Sequence, residues 1–280
     1  KNLYNKLPQG GFFKSRISYL IIFLLSILPL YKLLKKDKPD YIIAHLITSL
    51  PIILFKIFKF ETKLILRISG YPKLNLIRKF FWKLCSKNIH LITCPSIELK
   101  NQLKKLNIFE DKKITVLYDS VINIKEVNNK KNDLLSDELT KSNYLLAIGR
   151  LTKQKNFDLL INAFYEFNKI NNNYKLLIIG EGEESKKIIN RINQLKLEHK
   201  IFLLGFKQNV YKYLKNSKAF ILSSLWEEMG FVIIEAASCN TLIISSDCPN
   251  GPSEFLNYGE AGYLFNNNSV DDLVQNLIKF

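Results

Sequence analysis

The sequence alternates short, continuously apolar runs with longer amphipathic runs from about residue 41 to its end. A short apolar run without polar alternation is typical of a strand buried on both faces, and such strands occur in parallel sheets that helices cover on each side. The chain is therefore predicted to be an α/β protein with doubly wound parallel sheets. The strands are expected at residues 41–46, 62–68, 89–94, 114–117, 144–148, 174–179, 201–204, 219–222 and 241–245.

The amphipathic runs between these strands predict helices. In the clearest of them, apolar side chains recur at helical spacing from Phe157 to Ile170, and Asn156 is expected to cap the helix. Residues 269–272 resemble a capping box that opens the last helix. Further helices are expected at residues 74–86, 97–106, 185–195, 210–216 and 230–238.

A polar segment divides the pattern in two. Residues 122–143 are rich in Asn, Lys and Asp and lack a periodic apolar pattern, which is typical of an interdomain linker. We therefore predict an N-terminal Rossmann-like domain at residues 1–121 and a C-terminal one at residues 144–280. A length of 280 residues also favours two domains. Ligands are expected in the cleft beyond the carboxyl ends of the strands.

The first third of the chain carries most of its positive charge. Residues 1–100 contain 18 basic and 4 acidic side chains, a net charge of +14, whereas the remaining 180 residues have a net charge of +2. Such a segment could contact an anionic membrane surface, or its lysines could form solvated faces. No recognition helix or aromatic–basic RNA motif is found, which disfavours nucleic acid as a partner.

Two uncharged runs raise the question of a membrane span. Residues 17–31 and 41–55 contain 15 residues each, whereas a spanning helix needs ~20 apolar residues. We therefore predict a buried helix in the first run and a buried strand in the second. The expected location is cytoplasmic, with peripheral contact to the inner face of the cytoplasmic membrane as a further hypothesis.

The cysteines and the termini add two expectations. Cys85, Cys94, Cys239 and Cys248 show neither a C-x-x-C pair nor metal-ligand spacing, so we expect buried free thiols in a reducing compartment and no bound metal.

The sequence begins at Lys1, its single methionine is internal, and its last helix ends without a cap. We therefore expect a fragment of a longer protein, with an incomplete N-terminal domain.

The loop after the strand at residues 144–148 is a candidate phosphate site. Gly149 permits a sharp turn, and Arg150 and Lys155 follow just before a helix N-terminus. Two cations beside free backbone N–H groups could bind a diphosphate, although a solvated basic loop is an equally good interpretation. Gly180 and Gly182 follow the next strand without the third glycine of a dinucleotide motif. They predict a tight turn that a base or ribose could approach.

The strongest element surrounds Glu227 and Glu235. Glu227 ends a strand-to-helix loop, Gly230 opens the helix, and Glu235 lies inside that apolar helix, where a carboxylate without a partner is costly to bury. Glu235 could accept hydrogen bonds from the vicinal hydroxyls of a ribose while the helix N-terminus holds a phosphate. Glu227 would then face the group beyond the phosphate. The substrate-contacting residues expected around the helix N-terminus are Met229, Gly230, Phe231 and Val232.

A further turn follows the strand at residues 241–245. It runs from Asp247 through Gly251 and Pro252 to Ser253 and Glu254. A rigid structural turn and a substrate-lining loop are equally good interpretations of this segment.

Taken together, these elements resemble glycosyltransferase family 4, the retaining enzymes of the two-Rossmann GT-B fold. The residues that carry the resemblance are Gly149-Arg150, Lys155-Asn156, the glutamates Glu227 and Glu235 spaced eight apart around Gly230, and the turn from Asp247 to Glu254. The resemblance covers residues 144–280, and is looser for residues 1–140, where residues 38–45 look like an acceptor-domain strand.

The resemblance implies roles for these residues. It implies that Arg150 and Lys155 bind the diphosphate of a nucleotide-sugar donor, that Glu235 holds the ribose and that Glu227 contacts the sugar. It also implies transfer with retention by front-face departure, which requires positive charge on the leaving diphosphate and no protein nucleophile. A UDP- or GDP-linked donor is expected, and no Asp-x-Asp metal motif is found, consistent with cations in place of a metal ion. The expected acceptor is lipid-linked, for example through polyprenyl phosphate, or is a cell-envelope glycan.

The sequence departs from the family in its first half. The Gly-rich loop near the amino terminus is absent. Arg67 and Ser69 stand where many members carry a histidine, and His45 is a candidate substitute. Two other functions remain alternatives. A catalytically weak relative would bind a sugar nucleotide without transferring the sugar, and a nicotinamide-dependent Rossmann enzyme is disfavoured by the incomplete glycine motif.

Overall fold

The computed structural model describes residues 12–45, 48–72, 74–119, 122–136 and 142–280. The chain divides into two compact units, with the boundary between Leu117 and Tyr118. Each unit contains one sheet whose strands are all parallel.

The first unit has a four-stranded sheet in the order β1-β2-β3-β4. Its strands and helices follow one another along the chain as α1 (Phe12–Lys32), a π-helical turn (Leu33–Asp37), β1 (Tyr41–His45), α2 (Ser49–Ile57), β2 (Lys63–Arg67), α3 (Leu76–Cys85), β3 (Leu91–Cys94), α4 (Ile97–Lys105) and β4 (Ile114–Val116). Single 3-10 turns precede β3 (Ser86–Asn88) and β4 (Asp111–Lys113). Leu64, Leu66 and Ile92 lie in its core.

The second unit has a six-stranded sheet in the order β10-β9-β8-β5-β6-β7. Its elements are α5 (Ile124–Lys130), β5 (Tyr144–Ile148), a 3-10 turn (Lys153–Lys155), α6 (Phe157–Ile170), β6 (Lys175–Ile179), α7 (Ser185–Gln194), β7 (Ile201–Leu203), α8 (Tyr211–Asn216), β8 (Ala219–Leu222), α9 (Phe231–Ser238), β9 (Ile243–Asp247), α10 (Pro252–Phe255), a 3-10 turn (Asn257–Gly259), β10 (Tyr263–Asn266) and α11 (Val270–Lys279).

The apolar strands are explained by helices on both faces of this sheet. Along β5, Leu145 packs into the apolar cluster that contains α6, α7 and α11, whereas Leu146 packs into the cluster on the other face with α8 and α9. Both leucines are fully buried. Each such side chain stabilises the fold by ~1.5–3 kcal/mol, which is why the strand lacks polar alternation.

The segment expected to be a linker is partly helical. Residues 122–143 lie on the second-unit side of the boundary and contain α5. Val127 of α5 is buried in an apolar cluster of that unit, and the side chain of Asn209 donates to the carbonyl oxygen of Lys130 at 2.9 Å. A seven-residue helix with one buried apolar side chain shows no periodicity, and the sequence pattern therefore missed it.

The first uncharged run is less buried than predicted, and the second is a strand, β1, followed by the largely buried helix α2 rather than a single strand. In α1, four apolar side chains at helical spacing, Ile17, Leu20, Leu24 and Leu28, are 51–67% exposed. β1 is an edge strand, and its Tyr41 and Ile43 are exposed on one face. The predictions of a buried helix and a buried strand were thus wrong for these faces. Among the described residues, no helix is both long and apolar enough to cross a membrane.

Several smaller expectations have definite outcomes. Ser269 caps α11 by accepting from the backbone N–H of Asp272. Asn156 does not cap α6; its backbone is left-handed, with φ of 50°, and its side chain donates to Asn268 instead. The four cysteines are buried and free, as predicted. The edge strand β10 was missed, because its exposed and polar positions interrupt the apolar run.

Candidate functional site

The predicted site residues lie at the carboxyl edge of the second sheet. The chain passes from β5 to β6 and β7 on one side, then returns to β8 on the other side of β5. The loops after β5 and β8 therefore diverge around a topological switch point, where open α/β sheets bind ligands. Gly149 and Arg150 follow β5, Gly180 and Gly182 follow β6, and Glu227 lies in the loop after β8.

Lys155 and Glu227 form an ion pair at this switch point. The Nζ atom of Lys155 donates to Oε1 of Glu227 at 2.5 Å. The two side chains are only 13% and 7% exposed. The cation expected to bind a diphosphate and the carboxylate expected to face the sugar are thus in contact with each other, although 72 positions separate them in the sequence.

Three buried serines that were not among the predicted site residues hold this pair. Ser224 donates to Oε1 of Glu227 at 2.5 Å, and Ser246 donates to the carbonyl oxygen of Ser224 at 2.6 Å. Ser223 donates to the carbonyl oxygen of Lys155 at 2.8 Å. Their place in the sequence could have indicated a role at the site, because Ser223 and Ser224 are polar residues that follow the apolar strand β8 immediately. The network fixes both partners of the ion pair.

Close packing against backbone or side-chain atoms explains three of the glycines. A Cβ atom on Gly180 would lie 1.9 Å from the carbonyl oxygen of Gly149, and one on Gly182 would lie 2.3 Å from that of Leu151. A Cβ atom on Gly149 would lie 3.1 Å from Cε of Lys155. Gly180 and Gly182 therefore allow the loops after β5 and β6 to pack against each other. Gly149 leaves room for the side chain of Lys155 to lie against the start of the loop after β5.

Arg150 is exposed, and its guanidinium makes no hydrogen bond or salt bridge to the part of the chain that the structure describes. It lines a cavity of about 300 Å³ together with Gly149, Gly180, Glu181 and Phe206. Phe206 is 72% exposed, and its backbone N–H donates to Oε1 of Glu181 at 3.3 Å. The cavity thus offers a free cation and an exposed aromatic ring.

Glu235 is half-buried in α9, and burial raises the pKa of its carboxyl group. Its side chain has no hydrogen bond or salt bridge to any described residue. Its charge lies close enough to Tyr211 to raise the pKa of that phenol, although burial is the larger cause there. Tyr211 follows Val210, which lines the cavity beside Arg150. Glu235 is therefore a half-buried carboxyl group that has no hydrogen-bond partner among the described residues and is available to a ligand.

The start of α9 lies between Glu227 and Glu235 in the sequence. Gly230 precedes the helix with φ of 64° and no side chain caps it. Met229 is buried, and a Cβ atom on Gly251 would lie 3.1 Å from its Cα. Phe231 is 46% exposed, whereas Val232 packs against an apolar cluster. Of this group, Phe231 is the most accessible to a substrate, and Met229 and Val232 contribute mainly to packing.

The turn from Asp247 to Glu254 contacts the Glu227 loop. The backbone N–H of Glu227 donates to the carbonyl oxygen of Pro249 at 3.1 Å. Together with the packing of Gly251 on Met229, this contact supports the structural interpretation of that turn. Arg150 and Glu235 are not in contact with the Lys155–Glu227 pair through any hydrogen bond or salt bridge among the described residues.

In the first unit, the candidate polar residues also lie at a carboxyl edge. His45 and Arg67 are paired across β1 and β2. Nε2 of His45 lies 2.6 Å from Oγ of Ser69, within hydrogen-bonding distance, and Nη1 of Arg67 donates to the carbonyl oxygen of Leu117 at 2.7 Å. Arg67 is buried and has this structural contact, whereas His45 and Ser69 form an accessible pair.

Comparisons with known proteins show a family and relatives that this chain resembles. The family model of glycosyl transferases group 1 matches residues 128–280. An uncharacterized glycosyltransferase of Methanocaldococcus jannaschii is 34% identical over 251 residues, covering 80% of this chain and 60% of that protein. The N-acetylgalactosamine-N,N'-diacetylbacillosaminyl-diphospho-undecaprenol 4-alpha-N-acetylgalactosaminyltransferase of Campylobacter jejuni is 27% identical over 249 residues, covering 86% of this chain and 64% of that protein.

A solved structure shares the fold. The crystal structure of Anabaena HepE in complex with UDP has a TM-score of 0.74 at 16% identity, covering 94% of this chain and 71% of that chain. The prediction of two Rossmann-like parallel-sheet units of the GT-B type is confirmed. The chain spans about three fifths of the length of the two curated relatives. Because the family model covers more than half of its residues, the chain belongs to the glycosyl transferases group 1 family.

Proposed function

We propose that this chain is part of a retaining glycosyltransferase that moves a sugar from a nucleoside-diphosphate donor to a lipid-linked or cell-envelope glycan. The observation that carries the proposal is the set of charged groups in the loops after β5 and β8 and in the helix α9 that follows. It combines an unpaired cation at Arg150, a buried Lys155–Glu227 pair and a desolvated carboxylate at Glu235. A diphosphate flanked by a ribose and a sugar needs these complementary groups.

The chemistry proposed for this site is charge stabilisation. The bond between the anomeric carbon and the diphosphate oxygen breaks while the acceptor hydroxyl bonds to that carbon, and the hydroxyl proton passes to an oxygen of the leaving diphosphate. Fixed cations stabilise the negative charge that develops on the leaving group. Arg150 and the uncapped start of α9 would act on the diphosphate directly. Lys155 would contact a phosphate while it keeps Glu227 in place, and Glu227 would accept from a sugar hydroxyl. Retention would follow from attack on the face that the diphosphate leaves.

The donor is proposed to be UDP- or GDP-linked. The cavity beside Arg150 has an exposed aromatic ring in Phe206, on which a nucleobase could stack. The fold is shared with HepE, which was crystallised with UDP. Since Arg150 and Lys155 supply positive charge, we propose that transfer needs no divalent metal.

The acceptor is proposed to carry a lipid phosphate, such as a polyprenyl diphosphate. The Campylobacter jejuni relative is named for a diphospho-undecaprenol substrate. The basic first hundred residues and the exposed apolar side chains of α1 support a peripheral location on the anionic cytoplasmic leaflet. The accessible pair of His45 and Ser69 is proposed to face the acceptor.

The test is a screen of nucleotide sugars against the full-length protein. We expect one UDP- or GDP-sugar to raise the melting temperature, and the free nucleoside diphosphate to be released when a lipid-linked acceptor is added. Product anomers are assigned by NMR, with a chelator present in one arm. Binding without release would identify a catalytically weak relative. Tight NAD binding without any response to nucleotide sugars would refute the proposal.

Replacing Arg150 with alanine is expected to weaken UDP or GDP binding by about 1.5–3 kcal/mol, a ten- to hundredfold change, because a charge-assisted hydrogen bond to the diphosphate is lost. Calorimetry measures the change. The control is Lys153→Ala, which removes an exposed cation from the same loop. Equal affinities of the wild type and the Arg150 variant would remove Arg150 from the site.

Replacing Glu235 with glutamine is expected to raise stability at neutral pH and to weaken nucleotide binding. Burial raises the pKa of Glu235 in the folded state. The folded state therefore favours the protonated carboxyl group of Glu235. This stabilisation is complete below the unfolded pKa and is lost as the pH rises through the folded pKa, above which the wild type carries a buried charge that the glutamine variant lacks. The advantage of the variant in denaturant titrations should consequently shrink as the pH falls towards 4.5.

The proposed contact between Glu235 and the ribose is tested by a separate binding measurement. If its carboxylate accepts from the ribose hydroxyls, the wild type should bind 2'-deoxy-UDP about tenfold more weakly than UDP. The Glu235→Gln variant should discriminate less between the two nucleotides. Discrimination that is unchanged by the substitution would place the ribose elsewhere.

A further inference from the structure

The first unit contains a cavity of about 490 Å³ at the edge of its sheet opposite to His45 and Ser69. Its lining comes from Phe55 at the end of α2 and from the segments that lead into β2, β3 and β4, namely residues 58–64, residues 87–90 and Lys113. In a parallel sheet these segments lie at the amino ends of the strands. The cavity is thus separate from the carboxyl edge at which the acceptor is proposed to bind.

The lining of this cavity is strongly basic. Lys59, Lys63, Lys87 and Lys113 all contribute to it. The carboxylate among the described lining residues is Glu61, and it is paired with Lys38 at 2.7 Å. That pair lowers the pKa of Glu61, so the group remains ionised and is neutralised by its partner. Lys113 is engaged within the fold, because its Nζ donates to the carbonyl oxygen of Lys87 at 3.2 Å and lies 3.7 Å from Oε1 of Glu110. Lys59, Lys63 and Lys87 therefore remain as the point-charge donors suited to phosphate.

Thr62 adds a buried hydroxyl group that no described residue hydrogen-bonds. It lines the cavity and is only 4% exposed. Its hydroxyl has no hydrogen-bond partner among the described residues. A buried hydroxyl without a partner destabilises a protein, so its retention at this position is explained if a ligand atom completes the bond.

One wall of the cavity is aromatic and joins α1. Phe58 and Phe60 line the cavity, and the ring of Tyr31 from α1 lies 4.8 Å from that of Phe58 and 6.1 Å from that of Phe60. The same helix carries the exposed apolar side chains at Leu20, Leu24 and Leu28. The surroundings are therefore both basic and apolar, which suits a phosphate group attached to an apolar molecule.

We propose that this cavity binds a phosphate group, either of a soluble phosphate ester or of an anionic membrane lipid. Lys59, Lys63 and Lys87 would supply the charge, and the hydroxyl of Thr62 would donate to a phosphate oxygen. The proposal is independent of the nucleotide-sugar site, which lies in the second unit.

The first test compares two double variants of equal charge. Lys59→Gln with Lys87→Gln changes the cavity, whereas Lys83→Gln with Lys105→Gln changes exposed lysines of α3 and α4 outside its lining. Glycerol 3-phosphate is the soluble probe. Vesicles of phosphatidylcholine with and without phosphatidylglycerol are the lipid probe. UDP affinity of the cavity variant should match the wild type, which separates this site from the nucleotide site.

We expect the cavity variant to bind its phosphate probe at least tenfold more weakly than the control variant. Loss of glycerol 3-phosphate binding identifies a soluble ligand, and loss confined to the phosphatidylglycerol vesicles identifies a lipid. Equal binding by the two double variants would overturn the proposal, because it would show only the effect of net charge. Failure of the wild type to bind either probe would overturn it as well.

Thr62→Val provides a second test. Since its hydroxyl has no partner in the fold, the substitution should leave the unfolding midpoint in urea unchanged or raise it. Phosphate affinity should nevertheless fall about tenfold. Unchanged affinity in both this variant and the cavity double variant would refute the site.

Discussion

Replacing Glu227 with glutamine is expected to abolish most of the transfer activity and to cost about 3 kcal/mol of stability. The variant leaves the ammonium group of Lys155, which is 13% exposed, without its charged partner, and breaking a buried ion pair from one side is strongly destabilising. Turnover should fall more than affinity for the free nucleoside diphosphate, because Lys155 remains to contact the phosphate. Denaturant titration and steady-state kinetics measure the two effects.

The neighbouring residue offers a matched control for this prediction. Glu228→Gln removes the same charge one position along the chain, but Glu228 is exposed, so its stability should change by no more than about 0.5 kcal/mol. A saturating nucleoside diphosphate should restore part of the stability of the Glu227 variant, since the diphosphate supplies a new partner for Lys155. A larger loss of diphosphate affinity than of turnover would show that the roles of Glu227 and Glu235 are exchanged.

Replacing Gly180 with alanine is expected to destabilise the second unit by about 3 kcal/mol or more and to abolish nucleotide binding. The new Cβ atom would lie 1.9 Å from the carbonyl oxygen of Gly149, and the backbone has φ of 144°, which side chains rarely adopt. The loop after β5 would have to move, and Arg150 and Lys155 would move with it. Unfolding in urea and UDP calorimetry measure the losses.

Gly259→Ala distinguishes the steric clash of a new Cβ atom from the backbone strain of a positive φ. Gly259 also has a positive φ, of 103°, but a Cβ atom there meets nothing within 4 Å. Its substitution should therefore cost only the backbone strain, about 1–2 kcal/mol, and leave nucleotide affinity unchanged. If the two glycine variants lose equal stability and bind UDP equally, the contact between the loops after β5 and β6 does not position the site.

Much of the fold follows from local sequence pattern. Strands such as β5 and β6 are buried on both faces, so their apolar character is continuous and easily recognised. The order of strands and helices then leads to parallel sheets, and the residues that follow each strand are brought to one edge. Gly149, Arg150 and Glu227 are predicted as site candidates in this way, from their positions after strands.

Elements at the margins of the units were harder to predict. β10 lies at an edge of its sheet, so exposed and polar positions interrupt its apolar run, and α5 is held by a single buried valine. The exposure of α1 likewise depends on what covers each of its faces. Burial is a property of the assembled unit, and a run of apolar residues does not specify which of its sides is covered.

The sequence by itself determined the family, the two parallel α/β units and the positions of the charged groups along the chain. Only the tertiary structure decided which of those groups meet. Lys155 pairs with Glu227 rather than standing free, Ser224 holds that pair, and Thr62 faces a cavity shared with lysines from three separate segments. Secondary structure arises from near neighbours and leaves a pattern in the sequence. Contacts between loops depend on how strands are ordered in a sheet, which no local pattern records.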